Sequence, residues 1–341
     1  MGTATTETVT KPHERNLVRW ARDVPEALVL SGDLTGSTEI AAFRDAYPDR
    51  FVSMGMAEQN MLSWAGGLAR EGFVPLLHTF AVFLYRRPLD QLSMSVCYPN
   101  LRVRLFGFLP GITTPGGVTH QAIDDIAVLR GIPNLTIIEM GDATEIETAL
   151  EPVHAIDGPV YVRMLRGAVP RLFAKDQPFA LNRARSLSEG DDLVVLSSGI
   201  CTAEAMRAVR ALSGKGVGVA HLHVSTLKPF DDAAVREALA GPARGVITFE
   251  NHTVIGGLGS AVAELMAGEG IGKPLVRLGI PDTYAHGASQ AHLMREYGLD
   301  ALALVRAVEA MLGETTGIGE DELAAVDLTP DRIGTEQLEA L

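Results

Sequence analysis

The chain has 341 residues, 47% hydrophobic and 21% charged, which is enough apolar content for sizeable cores and excludes a disordered chain. Lys and Arg total 29 against 42 Asp and Glu, a net charge of −13, which argues against a nucleic-acid-binding face. No apolar run approaches the roughly 18 residues of a membrane helix, residues 1–16 have no signal-peptide core, and two distant cysteines, Cys97 and Cys201, exclude a disulfide framework or a cysteine-based zinc site. These features predict an acidic cytoplasmic α/β protein with no membrane or nucleic-acid partner.

Residues 1–12 read as a flexible arm. Short apolar runs rich in Val, Leu and Ile then predict strands over 27–31, 74–79, 103–106, 135–139, 160–164, 193–196, 217–222, 245–250 and 275–278. Helical patterns fall between them, for example at 60–70, 121–130, 203–212 and 260–267. This alternation implies two domains, each a mostly parallel sheet flanked by helices. The charged, aperiodic stretch 171–192 marks the break, giving domains over 13–180 and 193–312 joined by a linker at 181–192. The acidic stretch 313–341 reads as a tail, mobile or docked on a partner. There is no repeat of fixed short period.

The densest chemical signal is FVSMGMAEQNMLSWAGGLAR at 51–70. Gly55 provides a tight turn after a strand-like run, and Glu58 opens a helix among Met54, Met56, Met61, Leu62 and Trp64. A carboxylate in that setting loses solvation, which suits it to proton transfer; as a first-turn residue it would equally favour the helix N-terminus. Phe80 and Phe83, three apart in TFAVFLYRRPLDQ at 79–91, share a helix face and could wall an aromatic ligand or simply pack in a core. In PGITTPGGVTHQAIDD at 110–125, a Gly/Pro/Thr loop leads to His120, placed to meet a substrate or to cap the following helix.

Together these stretches resemble the second half of the transketolase family and the matching part of 1-deoxyxylulose-5-phosphate synthase. The family patterns G-x-A-E-Q-N, T-F-x-x-F with a downstream Arg and Asp-Gln, and G-x-T-H-Q stand here in order at 55–60, 79–91 and 117–121. Glu250-Asn251-His252, the run at 255–260, and Gly279-Ile280-Pro281-Asp282 with His286-Gly287 are similar to the family's C-terminal domain. The resemblance covers most of residues 13–312. It implies a thiamine-diphosphate-binding fold with a pyrimidine-binding domain and a transketolase C-terminal domain. It also implies that Glu58 shares a proton with the cofactor's pyrimidine ring, Phe83 stacks on that ring with Phe80 and Arg86 nearby, and Asp33 and Leu34 lie in the cofactor loop. His120, Ser37 and Arg166 would meet the substrate, with Arg15 as a looser second anion contact.

The Gly-Asp-Gly signature of the diphosphate- and Mg²⁺-binding domain is lacking, since Gly32-Asp33-Leu34 and Gly190-Asp191-Asp192 do not match it. The resemblance therefore implies a split enzyme: this chain shares thiamine diphosphate with an N-terminal partner subunit, as α2β2, while Mg²⁺ is bound mainly by that partner and by no residue here. The activity implied is transfer of a two-carbon ketol unit from a ketose to an aldehyde. The alternatives are the β subunit of a 2-oxo acid dehydrogenase, a deoxyxylulose-phosphate-synthase-like enzyme and a non-catalytic subunit. Two positions depart from the sugar-phosphate pattern: Gly116 replaces an Asp and Phe108 replaces a His. A different donor or a less polar acceptor is therefore expected.

Overall fold

The computed structural model describes residues 6–329. Among the described residues, two mostly parallel sheets flanked by helices form the body of the fold, beside a small two-stranded sheet. In the first, the strands lie in the order Phe51–Ser53, Ala27–Ser31, Val74–Phe80, Arg104–Phe108, Val160–Met164 and Thr136–Glu139, all parallel. Thr226–Lys228, from much later in the chain, closes the edge antiparallel to Thr136–Glu139. The second sheet runs Leu275–Ile280, Val246–Thr253, Leu193–Ser197, Val219–His223 and Arg185–Ser188, the last antiparallel. Central strands such as Arg104–Phe108 and Leu193–Ser197 are buried along their whole length, which explains their mostly apolar composition; the buried Arg104 guanidinium donates to the His154 carbonyl at 2.9 Å and to the Gly158 carbonyl.

Several expectations change. The arm is not loose where it is described: Thr8–Thr10 pairs antiparallel with Ala168–Pro170, and the Glu7 carboxylate accepts from Arg171 Nε at 3.1 Å. Residues 1–5 lie outside the described residues. The linker contains the strand Arg185–Ser188, fixed by pairing to Val219–His223. The helix expected over 121–130 is only Asp125–Arg130, because Ala122 bridges Pro110 in strand fashion. In the tail, Glu320–Ala324 is a helix with Leu323 buried, and Ile318 and Leu328 are buried as well. Lys215 pairs with Glu322 at 3.1 Å, so this part docks on its own chain. Residues 330–341 of the expected tail lie outside the described residues.

Buried polar contacts tie the two sheets together behind the site. Arg163, fully buried in Val160–Met164, donates from Nε to Asp125 at 2.9 Å, from Nη2 to the Asn251 carbonyl at 3.2 Å, and from Nη1 to Glu139. Asn251 in turn clamps the loop that follows Arg104–Phe108, accepting from the Ile112 amide (3.0 Å) and donating to the Pro110 carbonyl (3.1 Å). Gly111, at φ 57°, leaves no room for a Cβ against Asn251, so this position requires glycine.

Candidate functional site

Parallel α/β sheets present their binding crevices at the carboxyl ends of their strands. Here Ala27–Ser31, Phe51–Ser53 and Val74–Phe80 end side by side. Just beyond them lies a cavity of about 250 Å³, lined by Gly32, Asp33, Leu34, Glu58, Phe80 and Phe83, with Met56, Arg87, Thr119 and His120 at its wall. The glycine keeps it open: a Cβ on Gly32 would sit 3.1 Å from Thr79 and 3.9 Å from Glu58 Oε1. Asp33 follows with φ 62°, a left-handed turn that Asp tolerates better than most residues.

Glu58 is the first residue of the helix Glu58–Arg70, where the dipole favours an anion. It is 3% exposed. Of its sequence neighbours, Met61 and Leu62 are fully buried, whereas Met56, at the cavity wall, and Trp64 are largely exposed. Phe80 and Phe83 stack with centroids 5.8 Å apart and planes at 26°, and His120 stands edge-on to both, at 6.1 and 5.6 Å. The His120 Nδ1 shares a 2.8 Å hydrogen bond with the Thr119 hydroxyl, leaving Nε2 as the nitrogen free of that bond. Six residues singled out from the sequence (Asp33, Leu34, Glu58, Phe80, Phe83 and His120) thus converge on one cavity.

Arg86 does not join them. Its guanidinium donates to Asp124 at 2.8 Å and to the Val118 carbonyl at 2.9 Å, and Tyr85 donates to the same Asp124 oxygen. Arg87 lines the cavity instead: Nη1 donates to Glu58 Oε1 at 2.6 Å, and the guanidinium carbon lies 3.8 Å from the Phe83 centroid. The helix Ala81–Tyr85 ends between them: Arg86 is its C-cap, while Arg87, the residue before Pro88, lies beyond it in a bend and leaves in a different direction. Sequence gave no way to choose between adjacent arginines.

Arg166 and Ser37 meet each other elsewhere, with Arg166 Nη1 donating to the Ser37 carbonyl at 3.0 Å. Arg166 lines a second cavity of about 240 Å³ with Leu109, Thr113, Thr114, Ile200 and Gln290. The loop over 109–120 therefore borders both cavities. Nearby Glu39, missed in the sequence, is 2% exposed and accepts from the Gly167 amide at 2.6 Å; burial pushes its carboxyl group above the usual range. Arg15 is exposed on the helix Pro12–Ala21.

The two departing positions have distinct structural roles. Phe108 is fully buried, facing the His13 and His78 rings at 5.6 and 6.2 Å, and belongs to the core. Gly116 lies directly under His120: a Cβ there would come within 2.9 Å of His120 Cβ. This loop holds His120 in place only because residue 116 lacks a side chain.

The donor set of the first cavity fits a flat nitrogen heterocycle, with a buried carboxylate to meet a ring nitrogen and stacked aromatic rings to cover a face. Residues 7–171 match the transketolase pyrimidine-binding domain and residues 182–304 the transketolase C-terminal domain. The chain belongs to the transketolase family. It is 42% identical over 287 residues to a putative uncharacterized transketolase family protein, y4mN, of Sinorhizobium fredii, covering 84% of this chain and 83% of that one. It is 39% identical over 293 residues to the 6-deoxy-6-sulfo-D-fructose transketolase subunit SqwH of a Clostridium species, covering 85% and 90%. Among solved structures, a split gene transketolase in an inactive β4 tetramer superposes with a TM-score of 0.81 at 37% identity, covering 89% of this chain and 97% of that one. No helix among the described residues is long and apolar enough to cross a membrane.

Proposed function

We propose that this chain is the C-terminal subunit of a split thiamine-diphosphate-dependent transketolase that transfers a two-carbon ketol unit from a ketose-type donor to an aldehyde. The observation that carries this reading is Glu58, 3% exposed beside the Phe80–Phe83 wall, in a cavity with no other buried carboxylate among its lining residues. When bound, thiamine diphosphate supplies a nucleophilic carbon that takes up and passes on the ketol unit.

Glu58 holds and returns a proton at a pyrimidine ring nitrogen, and burial keeps that proton from exchanging with water. Phe83, with Phe80 behind it, stacks on the ring and fixes its plane. Asp33 and Leu34 border the same cavity and close it toward the substrate. His120 offers its ring nitrogen to a substrate hydroxyl, oriented by Thr119. Arg166, backed by the Ser37 carbonyl, receives the anionic or hydroxylated far end of the substrate in the second cavity, for which forked donors are suited. Gly116 removes a carboxylate from this path, which supports a donor or acceptor other than the common sugar phosphates.

The diphosphate and Mg²⁺ are assigned to a partner subunit, in an α2β2 assembly. The inactive β4 tetramer of the similar split gene transketolase supports a β chain that is idle by itself. The test is reconstitution: purified alone, the chain is expected to show no thiamine-dependent turnover, and mixed with a Gly-Asp-Gly-bearing subunit it is expected to show Mg²⁺-dependent activity. Turnover by the isolated chain would overturn the reading.

A further inference from the structure

Among the described residues, one cluster of potential metal ligands stands apart from the residues assigned above: His286, His292 and Glu296. His292 and Glu296 are four apart on the helix Gln290–Glu296 and share a face; His286 comes from the preceding loop. Glu296 Oε2 lies 3.3 Å from His292 Nε2 and 3.4 Å from His286 Nε2. All three donor atoms fall within 4.8 Å of one another. Around a tetrahedral ion with bonds of about 2.0–2.1 Å, ligand atoms stand about 3.3 Å apart, so two edges of such a site already have the required length. We propose that His286, His292 and Glu296 bind a divalent transition-metal ion of the Zn²⁺ class.

Two imidazoles and a carboxylate select Zn²⁺, Co²⁺ or Ni²⁺ over Mg²⁺, which prefers an all-oxygen shell. The three side chains are 54%, 56% and 38% exposed, so an ion can enter from solvent and keep water in its remaining position. A binding role also accounts for two imidazoles and one carboxylate converging at the surface, where a simple ion pair contributes little.

The site is mechanically joined to the loop carrying His120. Gln121, almost fully buried, donates from Nε2 to the His286 carbonyl and to the Thr114 carbonyl, both at 3.2 Å. Gly287 packs so tightly on this loop that a Cβ there would lie 2.9 Å from the Pro115 carbonyl oxygen. An ion holding His286 to the helix Gln290–Glu296 therefore pins the segment against which the loop over 113–121 rests. The ion stabilises that loop; it takes no part in the ketol chemistry proposed above, and its binding does not depend on that reading.

The test uses the full chain without an affinity tag, stripped with chelator. Zn²⁺ uptake is measured by competition with a chromophoric chelator, and Co²⁺ is used as a spectroscopic probe. The expected result is saturable uptake at one ion per chain, a tetrahedral Co²⁺ visible band, and affinity weakened about tenfold or more in both His292→Ala and Glu296→Gln. Zn²⁺ is also expected to slow amide hydrogen exchange over 113–121 in the wild type and not in either variant. No saturable uptake, or uptake unchanged in both folded variants, would overturn the site. Uptake without slowed exchange would overturn its link to the loop.

Discussion

Arg87 covers Glu58: its guanidinium donates to the carboxylate at 2.6 Å while lying 3.8 Å over the centre of the Phe83 ring. A planar cation thus occupies the two groups proposed to hold a pyrimidine ring, a carboxylate and an aromatic face. Arg87 is nearly half exposed, so the pair is screened and competes only weakly, by about 0.2–1 kcal/mol. Removing the guanidinium in Arg87→Met is expected to tighten thiamine diphosphate binding by the reconstituted complex up to about fivefold. Equilibrium binding checks this; a weaker affinity would mean that Arg87 supports the cofactor instead of displacing it.

Phe83→Ala is expected to loosen the cofactor. It removes aromatic stacking worth about 0.5–1.5 kcal/mol, together with part of the wall shared with Phe80 and His120. Cofactor retention through gel filtration of the complex reads the effect. Unchanged retention in a folded variant would leave Phe83 with a packing role only.

Gly116→Ala is expected to move His120, because the new Cβ would lie 2.9 Å from His120 Cβ. The loss should fall on kcat/KM for the substrate, with thiamine diphosphate affinity unchanged, since Glu58 and Phe83 are untouched. Equal losses in both would place the loop in cofactor binding. Gly116→Asp would meet the same obstruction, so restoring a carboxylate there also requires His120 to shift.

Acid stability depends on a buried link between the helix Ala143–Thr148 and the second sheet. Glu145 pairs with His223 at 3.1 Å and accepts from Ser225 at 2.5 Å. Burial alone would raise this carboxyl group, but His223, Arg185 and Ser225 outweigh it and hold it at about 2. A carboxyl group depressed on folding contributes stability that is present above its ordinary value of about 4.5 and is lost as pH falls through about 2. Wild type should therefore unfold at higher temperature than Glu145→Gln at neutral pH, with the gap closing on acidification. A gap that stays constant with pH would contradict this.

Local patterns carried much of this into the sequence. Glu58, Phe80, Phe83 and His120 each sit within a short motif, and it is the resemblance of those motifs to the transketolase family, not their local geometry, that implies a shared site. Long-range pairing was not legible. Nothing in Thr8–Thr10 or Thr226–Lys228 names a partner, yet the first pairs with Ala168–Pro170 and the second crosses to the edge beside Thr136–Glu139. Strand pairing depends on what the rest of the chain leaves exposed, and that information is distributed over the whole fold. The Arg86–Arg87 ambiguity has a different origin: two identical side chains are adjacent in sequence, and the helix ends between them. Likewise Asn251 was visible as part of a motif, but its clamp on Pro110 and Ile112 required the second sheet to be placed against the first.

The central claim is that Glu58 exchanges a proton with the pyrimidine ring. Glutamine keeps the shape and a hydrogen bond but cannot exchange that proton, so Glu58→Gln should fold and pair with its partner subunit. The direct measurement is deuterium exchange at the thiazolium C2 of thiamine diphosphate in the reconstituted complex, quenched and read by proton NMR. The account predicts exchange slowed by about 10²–10⁴-fold in Glu58→Gln. Exchange at the wild-type rate in a folded, cofactor-loaded complex would contradict it.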